Sequence, residues 1–313
     1  MFWPEFDDDS DVELDSVLLT DFKCKEHTRI LFLEKLDFQD GLGNTALINV
    51  SSEGYKKLVQ IQLNYGANPN IQNKYGLRRS ALICAVINGH IEIVKLLLPV
   101  SNPDIQDKNG QSALILAVFR RSLEMVRLLL PVSNPNLQTK WIKNTALIIA
   151  ANNRRTEVVK LLIESGASPN IQNSRGETAL ICAVINGHIE IVKLLLPYSD
   201  PNIQTQDGMT ALILAIDKRY VEIVKLLLSY SDVNVINKYG YTPLIYASLD
   251  NNIELITMLI QAGAEVDLTG INETPLSIAV RNSNLQLVKI LLVYGARVNS
   301  MILQRAIEKR IHL

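Results

Sequence analysis

The nineteen residues ALICAVINGHIEIVKLLLP stand at 81–99 and again at 179–197, 98 positions apart. A chain that repeats itself this closely is either two copies of a domain or an array of short units, and the spacing decides. A Thr or Ser followed by Ala or Pro and then Leu begins at Thr45, Ser80, Ser112, Thr145, Thr178, Thr210, Thr242 and Thr274. Successive gaps run from 32 to 35 residues, and three of them span the 98. The twin segments therefore sit three units apart in an array, and a block of three units has been duplicated.

Within a unit the apolar spacing is helical. Leu82 and Ala85 share one side of a first short helix. Ile91, Val94, Leu97 and Leu98 follow the spacing of a second, and Asn88-Gly89 breaks the chain between them. Neither helix is long enough to hold alone in water, so each must bury its stripe against its partner and the next unit. Polar, turn-rich segments separate the units: NIQNKYG at 70–76, DIQDKNG at 104–110, NIQNSRG at 170–176, NIQTQDG at 202–208 and NVINKYG at 234–240. Their terminal Gly suits a tight turn, and the Thr or Ser that follows, two residues later in all but the first, suits a helix N-cap.

These features resemble the ankyrin repeat. GETALICAVINGHIEIVKLLLPYSDPN at 176–202 carries nearly the whole pattern, and the resemblance runs in register over about 45–300, eight units. It implies an all-α, ankyrin-repeat solenoid of stacked helix-turn-helix units with β-hairpin or loop fingers, and a protein-binding role rather than an enzymatic one. The family's His after Thr-Pro-Leu is absent. Ile48, Ile83, Ile115, Ile148, Ile181, Ile213 and Ile245 occupy that slot, with Ser277 in the last unit. Apolar packing is expected in place of the hydrogen-bond network attributed to that His. Gly-Ala closes the second helix at 66–67, 166–167, 263–264 and 295–296, whereas Pro99, Pro131 and Pro197 follow the apolar run in three other units. Those helices are expected to stop at or near Leu98, Leu130 and Leu196.

The expected organisation is an acidic disordered head at 1–12, a degenerate N-terminal capping repeat at 13–43, eight repeats at 44–300 and a capping helix at 301–313. The cap at the start is read from Ile30, Leu31, Leu33 and Leu36. The cap at the end is read from Leu303 and Ala306, with Gln304, Arg305, Glu308, Lys309 and Arg310 making its outer side polar. The formal net charge is −1, but residues 1–21 hold eight Asp and Glu and no Lys or Arg, which leaves +7 on the remainder. No apolar run reaches the length of a membrane span, and the N-terminus has no signal-peptide pattern. Three sparse cysteines, Cys24, Cys84 and Cys182, argue for a reducing compartment rather than a disulfide framework. An intracellular, cytoplasmic monomer is expected. The Ile, Asn and Lys content is similar to ankyrin arrays of large DNA viruses, protists and intracellular bacteria, for which the host cytoplasm would be the location.

No catalytic constellation, metal-ligand spacing or phosphate loop appears, so no enzyme activity, cofactor or metal is expected. His90 and His188 fall in the Gly-His position and read as structural. The sequon Asn272-Glu273-Thr274 reads as chance in an intracellular protein. What remains is surface. The resemblance places partner contacts on fingertips and on the exposed side of first helices. On this chain those positions are Tyr75, Leu77, Arg78 and Arg79, then Phe119 and Arg120, then Lys140, Trp141 and Lys143, with Asn152 and Asn153 beyond. Arg121, Arg154 and Arg155 lie in adjacent turns. Extra residues enlarge the fingers at 77–79 and at Trp141. Trp, Tyr and Arg concentrate interface energy, which makes this strip the preferred patch, with Tyr239, Tyr241 and Tyr246 as a second. Exposed arginines are also ordinary on a solvated surface, and drift in an expanding array clusters them; both readings stand. The expected partner is a protein with an acidic, partly apolar epitope. Rivals are an adaptor serving a larger complex such as a ubiquitin ligase, and nucleic-acid binding through the arginines, which the charge balance disfavours. The acidic head could also fold back over the arginines.

Overall fold

The computed structural model of the chain describes residues 36–74, 76–270 and 273–311. The acidic head, most of the N-terminal cap, Cys24, His27, Tyr75, Asn272 and His312 lie outside them. Contacts divide the chain into two compact units, one ending at Lys108 and one beginning at Asn109, so the expected run of repeats at 44–300 contributes to both.

Among the described residues the first unit contains two helix pairs: α1 (Ala46–Glu53) with α2 (Lys56–Asn64), and α3 (Ala81–Asn88) with α4 (Ile91–Leu97). The second contains six pairs and a closing helix. The pairs are α5 (Ala113–Phe119) and α6 (Leu123–Leu129), α7 (Ala146–Asn152) and α8 (Thr156–Glu164), and α9 (Ala179–Ile185) and α10 (Ile189–Leu195). They continue with α11 (Ala211–Asp217) and α12 (Val221–Leu228), α13 (Pro243–Leu249) and α14 (Ile253–Gln261), and α15 (Pro275–Arg281) and α16 (Leu285–Val293); α17 (Ser300–Lys309) closes the unit. Within each unit first helices pack on first helices, and each packs on its own second helix.

The burial pattern follows from this layering. A first helix lies between two neighbours and a partner, so it is apolar nearly all round: all six residues from Ala179 to Val184 are buried. A second helix has one side in solvent, and in α10 only Ile191, Val192 and Leu195 are buried. The recurring Thr or Ser caps the first helix. Its hydroxyl accepts the N–H three residues on, at 3.3 Å for Thr178 and Ile181 and 3.4 Å for Ser80 and Ile83. The isoleucines in the His slot supply that N–H and bury their side chains, as the sequence implied. Ser277 instead completes a capping box with Thr274.

Second helices end in two ways. At Gly166 (φ 81°) the chain turns left-handed and the Ala167 N–H reaches the Leu162 carbonyl at 2.9 Å. Before the prolines, α4, α6 and α10 end at Leu97, Leu129 and Leu195, one residue short of the expected stops. Leu130–Val132 and Leu196–Tyr198 then form single 3₁₀ turns that hold Pro131 and Pro197 at their start. A proline fits there because its ring fixes φ near the helical value, while its missing N–H keeps the α-helix from continuing.

One expectation narrows and one needs correction. Of the two finger forms the loop is the one present: the fingers are closed turns, and no strand occurs among the described residues. A finger such as 139–144 is closed by Thr139 N–H to Asn144 O at 3.0 Å, too short a pairing for a ladder. In the closing helix, Asn299 is the N-cap and Ile302 and Ala306 are buried. Ala306 is buried as expected, but Leu303 is 50% exposed with Ile302 buried in its place, and Ile307 is 69% exposed, so the outer side is not wholly polar.

Candidate protein-binding surface

The fingers are held to one another by their backbones. In the second unit four successive fingers each donate one N–H to the carbonyl just before the left-handed residue of the preceding finger. Lys140 reaches Asn109 at 2.8 Å, Ser174 reaches Ile142 at 2.8 Å and Gln206 reaches Arg175 at 2.9 Å. A glutamine amide reinforces this. Gln138 Nε2 donates to Lys143 O at 2.7 Å and to Gln172 O at 3.0 Å, and Gln172 repeats the pattern with Gly176 O and Gln204 O. The close approach explains glycine at the left-handed position: a Cβ on Gly110 would fall 2.4 Å from the Lys140 nitrogen.

Trp141 rides on this framework. One extra residue enlarges its finger, and the left-handed position there is Lys143 (φ 57°) instead of glycine. The indole is 72% exposed, with Ile142 half-exposed beside it. Lys140 Nζ stands over the ring, 5.1 Å from its centroid, in a cation–π contact. The result is an apolar tip flanked by two cations on a backbone fixed at both ends.

The other expected residues separate. Arg78 and Arg79 belong to the first unit. Arg78 (φ 54°) donates to Gln72 Oε1 at 3.3 Å, and half-buried Arg79 is tied through its backbone to Asn73. In the second unit Phe119 is exposed at the end of α5, followed by Arg120; Asn152 and Asn153 end α7, and Arg155 precedes α8. The finger 139–144 precedes α7 and the arginines 154–155 follow it, so the two basic groups lie at opposite ends of that helix.

The tyrosines are largely occupied. Tyr241 and Tyr246 meet edge to face, 5.8 Å between centroids at 89°. The Tyr246 hydroxyl accepts from Asn237 Nδ2 at 3.0 Å and donates to Met209 Sδ at 3.5 Å. Burial pushes this phenol above its ordinary range, with the Asn237 hydrogen bond opposing. Tyr239 alone of the three projects into solvent.

His90 and His188 have structural partners. His90 Nε2 lies 2.9 Å from Ser52 O, and His188 Nε2 lies 3.3 Å from Asn152 O. A carbonyl only accepts, so that nitrogen carries the proton. The outer helices neutralise their own charges in Lys95–Glu92, Lys193–Glu190 and Lys225–Glu222 pairs. An open groove on that side, lined by Arg154, His188, Glu190, Lys193, Glu222 and Lys225, holds the last two of these pairs. Among the described residues no three His, Cys, Asp or Glu side chains group as a metal site, and no helix is long and apolar enough to cross a membrane. Burial raises the Cys84 thiol to about 11 and the Cys182 thiol to about 12.

A family model described as ankyrin repeats, three copies, matches residues 22–99, 47–139, 131–205, 198–270 and 231–302. The chain belongs to the ankyrin-repeat family. Ankyrin repeats are generally protein-interaction modules and generally not enzymes, and the helix pairs, caps and fingers of this chain fit that membership throughout. No curated protein matches this ankyrin chain. The sequence missed the left-handed arginines of the interhelical turns. Its one signal was Arg121, Arg154 and Arg219 in the place of the Gly of Asn-Gly-His.

Proposed function

We propose that this ankyrin-repeat protein is a non-enzymatic scaffold that takes a partner protein on the fingertips and the exposed ends of the first helices. The observation that carries the reading is Trp141. A tryptophan 72% exposed on a finger braced by three inter-finger hydrogen bonds gains nothing for the fold by projecting. Its large flat surface and pre-set position are those of an interface anchor, and a braced loop loses little freedom on binding. Lys140 and Lys143 beside it favour an acidic rim on the partner's apolar epitope. Tyr239 offers another exposed aromatic side chain on a later finger of the same unit, and Phe119 one at the far end of α5. The buried, free Cys84 and Cys182 fit a reducing, intracellular location.

The test is affinity capture with the intact chain and with Trp141→Ala plus Lys143→Glu, followed by titration of the captured protein. The expected result is a partner held by the intact chain and lost by the variant while its melting curve is unchanged. A partner captured equally by both would end this reading.

A further inference from the structure

Among the described residues, eight non-glycine positions have left-handed backbone, and six of them are Lys or Arg. Such positions favour Gly, Asn or Asp, so basic residues there are not chosen by the backbone. Arg121 (φ 62°), Arg154 (φ 57°) and Arg219 (φ 59°) occupy the same place in three interhelical turns of the second unit, where Gly187 stands in a fourth.

Arg219 shows what a side chain launched from this place reaches. Its guanidinium closes on the Asp250 carboxylate of the next turn through two hydrogen bonds of 2.9 Å. The residue equivalent to Asp250 is Asn153 for Arg121 and Asn186 for Arg154. Both amides turn away: Asn153 Nδ2 donates to Ile149 O at 2.8 Å, and Asn186 Nδ2 to Cys182 O at 2.8 Å and Asn152 Oδ1 at 3.1 Å. No ion pair or side-chain hydrogen bond holds Arg121 or Arg154 among the described residues. Arg120 is exposed beside the first. Arg155 lies beside the second with its Nε buried and unpartnered. Glu157, on the helix that follows, is held by Arg127 at 3.0 Å.

We infer that these two open guanidinium forks form a docking edge for an extended acidic segment of a partner protein, with carboxylates three residues apart in a polyproline II backbone. The spacing selects this form. First helices α5 and α7 pack directly, and packed helices lie about 8–10 Å apart. A polyproline II chain returns a side chain to the same side every third residue, about 9 Å along. A β-strand does so at about 7 or 13 Å and would engage only one fork. A planar fork accepts a carboxylate through two parallel hydrogen bonds, the arrangement Arg219 already makes. This edge goes beyond the fingertip reading, since it lies at the opposite end of α7 from Trp141.

The test uses a fluorescent peptide of repeated Glu-Pro-Pro and the full chain, read by anisotropy. Binding is expected. Arg121→Gly with Arg154→Gly should weaken it about tenfold or more, and the fold tolerates glycine there, as Gly89 and Gly187 show. Asn153→Asp with Asn186→Asp keeps both arginines but supplies the missing carboxylates, and should weaken binding as much. Trp141→Ala should leave it unchanged, which separates this edge from the fingertip site. A Gln-Pro-Pro peptide or a Glu-Pro repeat should bind less. The proposal is overturned by equal binding to the glycine variant, by equal binding of the glutamine peptide, or by no binding at a peptide concentration on the order of 1 mM. Tighter binding of an RNA oligonucleotide or of phosphatidylserine vesicles through the same arginines would overturn it too.

Discussion

Arg219 and Asp250 face each other across consecutive interhelical turns, joined Nε to Oδ2 and Nη2 to Oδ1 at 2.9 Å each. The carboxylate raises the basicity of the guanidinium, with the hydrogen bond as the main cause. The pair is solvent-exposed on the arginine side, so its contribution is screened by salt. Asp250→Asn should lower the melting temperature slightly in dilute buffer and not at all in molar salt. An equal fall at both ionic strengths would show that Asp250 acts by something other than this pair.

The equivalent Arg154 has no such partner and still occupies left-handed backbone at φ 57°. Arg154→Gly should stabilise the fold by about 0.5–1 kcal/mol, the relief of the Cβ clash less the extra chain entropy of glycine. Chemical denaturation of the two proteins measures it, and a destabilised glycine variant would contradict the account.

Thr178 caps α9 through Ile181 and is buried. Thr178→Ala should cost about 1 kcal/mol, since it leaves that N–H without a partner. Thr178→Ser should be close to neutral, because Ser80 and Ser112 make the same bond at 3.4 Å in their own units. Urea titration of the three proteins tests the order.

Leu97 is fully buried on α4 of the first unit. Leu97→Ala should destabilise by about 2–5 kcal/mol through lost burial and the cavity left behind. The exposed Leu303→Ala, one helical position from the buried Ile302, should be near neutral.

Burial lifts the Cys84 and Cys182 thiols to about 11 and about 12. A free cysteine ionises near 8.5, so at pH 8 the folded thiolate of Cys84 is present at about one part in a thousand. Alkylation mapped by mass spectrometry should find both residues unmodified at pH 8 until denaturant is added. The same shift carries a sign for stability. The unfolded thiols lose their protons first, so their contribution is intact below about pH 8.5 and is lost as pH rises toward the folded values.

The repeat step, the helix pairs and their caps were legible in the sequence because each rests on local chemistry: Thr178 with its N3 amide, Gly166 at a left-handed turn, Pro197 after an apolar run. The closing helix was not, because Ile302 and Leu303 are equally apolar and only packing chooses between them. The strip of basic residues was legible as composition but not as geometry. Lys143 and Arg154 lie eleven residues apart, yet they flank α7 at its opposite ends. Nor could spacing show that Tyr246 spends its hydroxyl on Asn237 and Met209, while Trp141 is left free.

The most direct measurement of the central claim is hydrogen exchange on the protein bound to its captured partner. Binding at the fingertips predicts new protection at residues 139–144 and in the neighbouring finger at 172–176, with the outer helices α8 and α10 unchanged. Protection confined to α8 and α10, with the Trp141 finger exchanging as in the free protein, would contradict it.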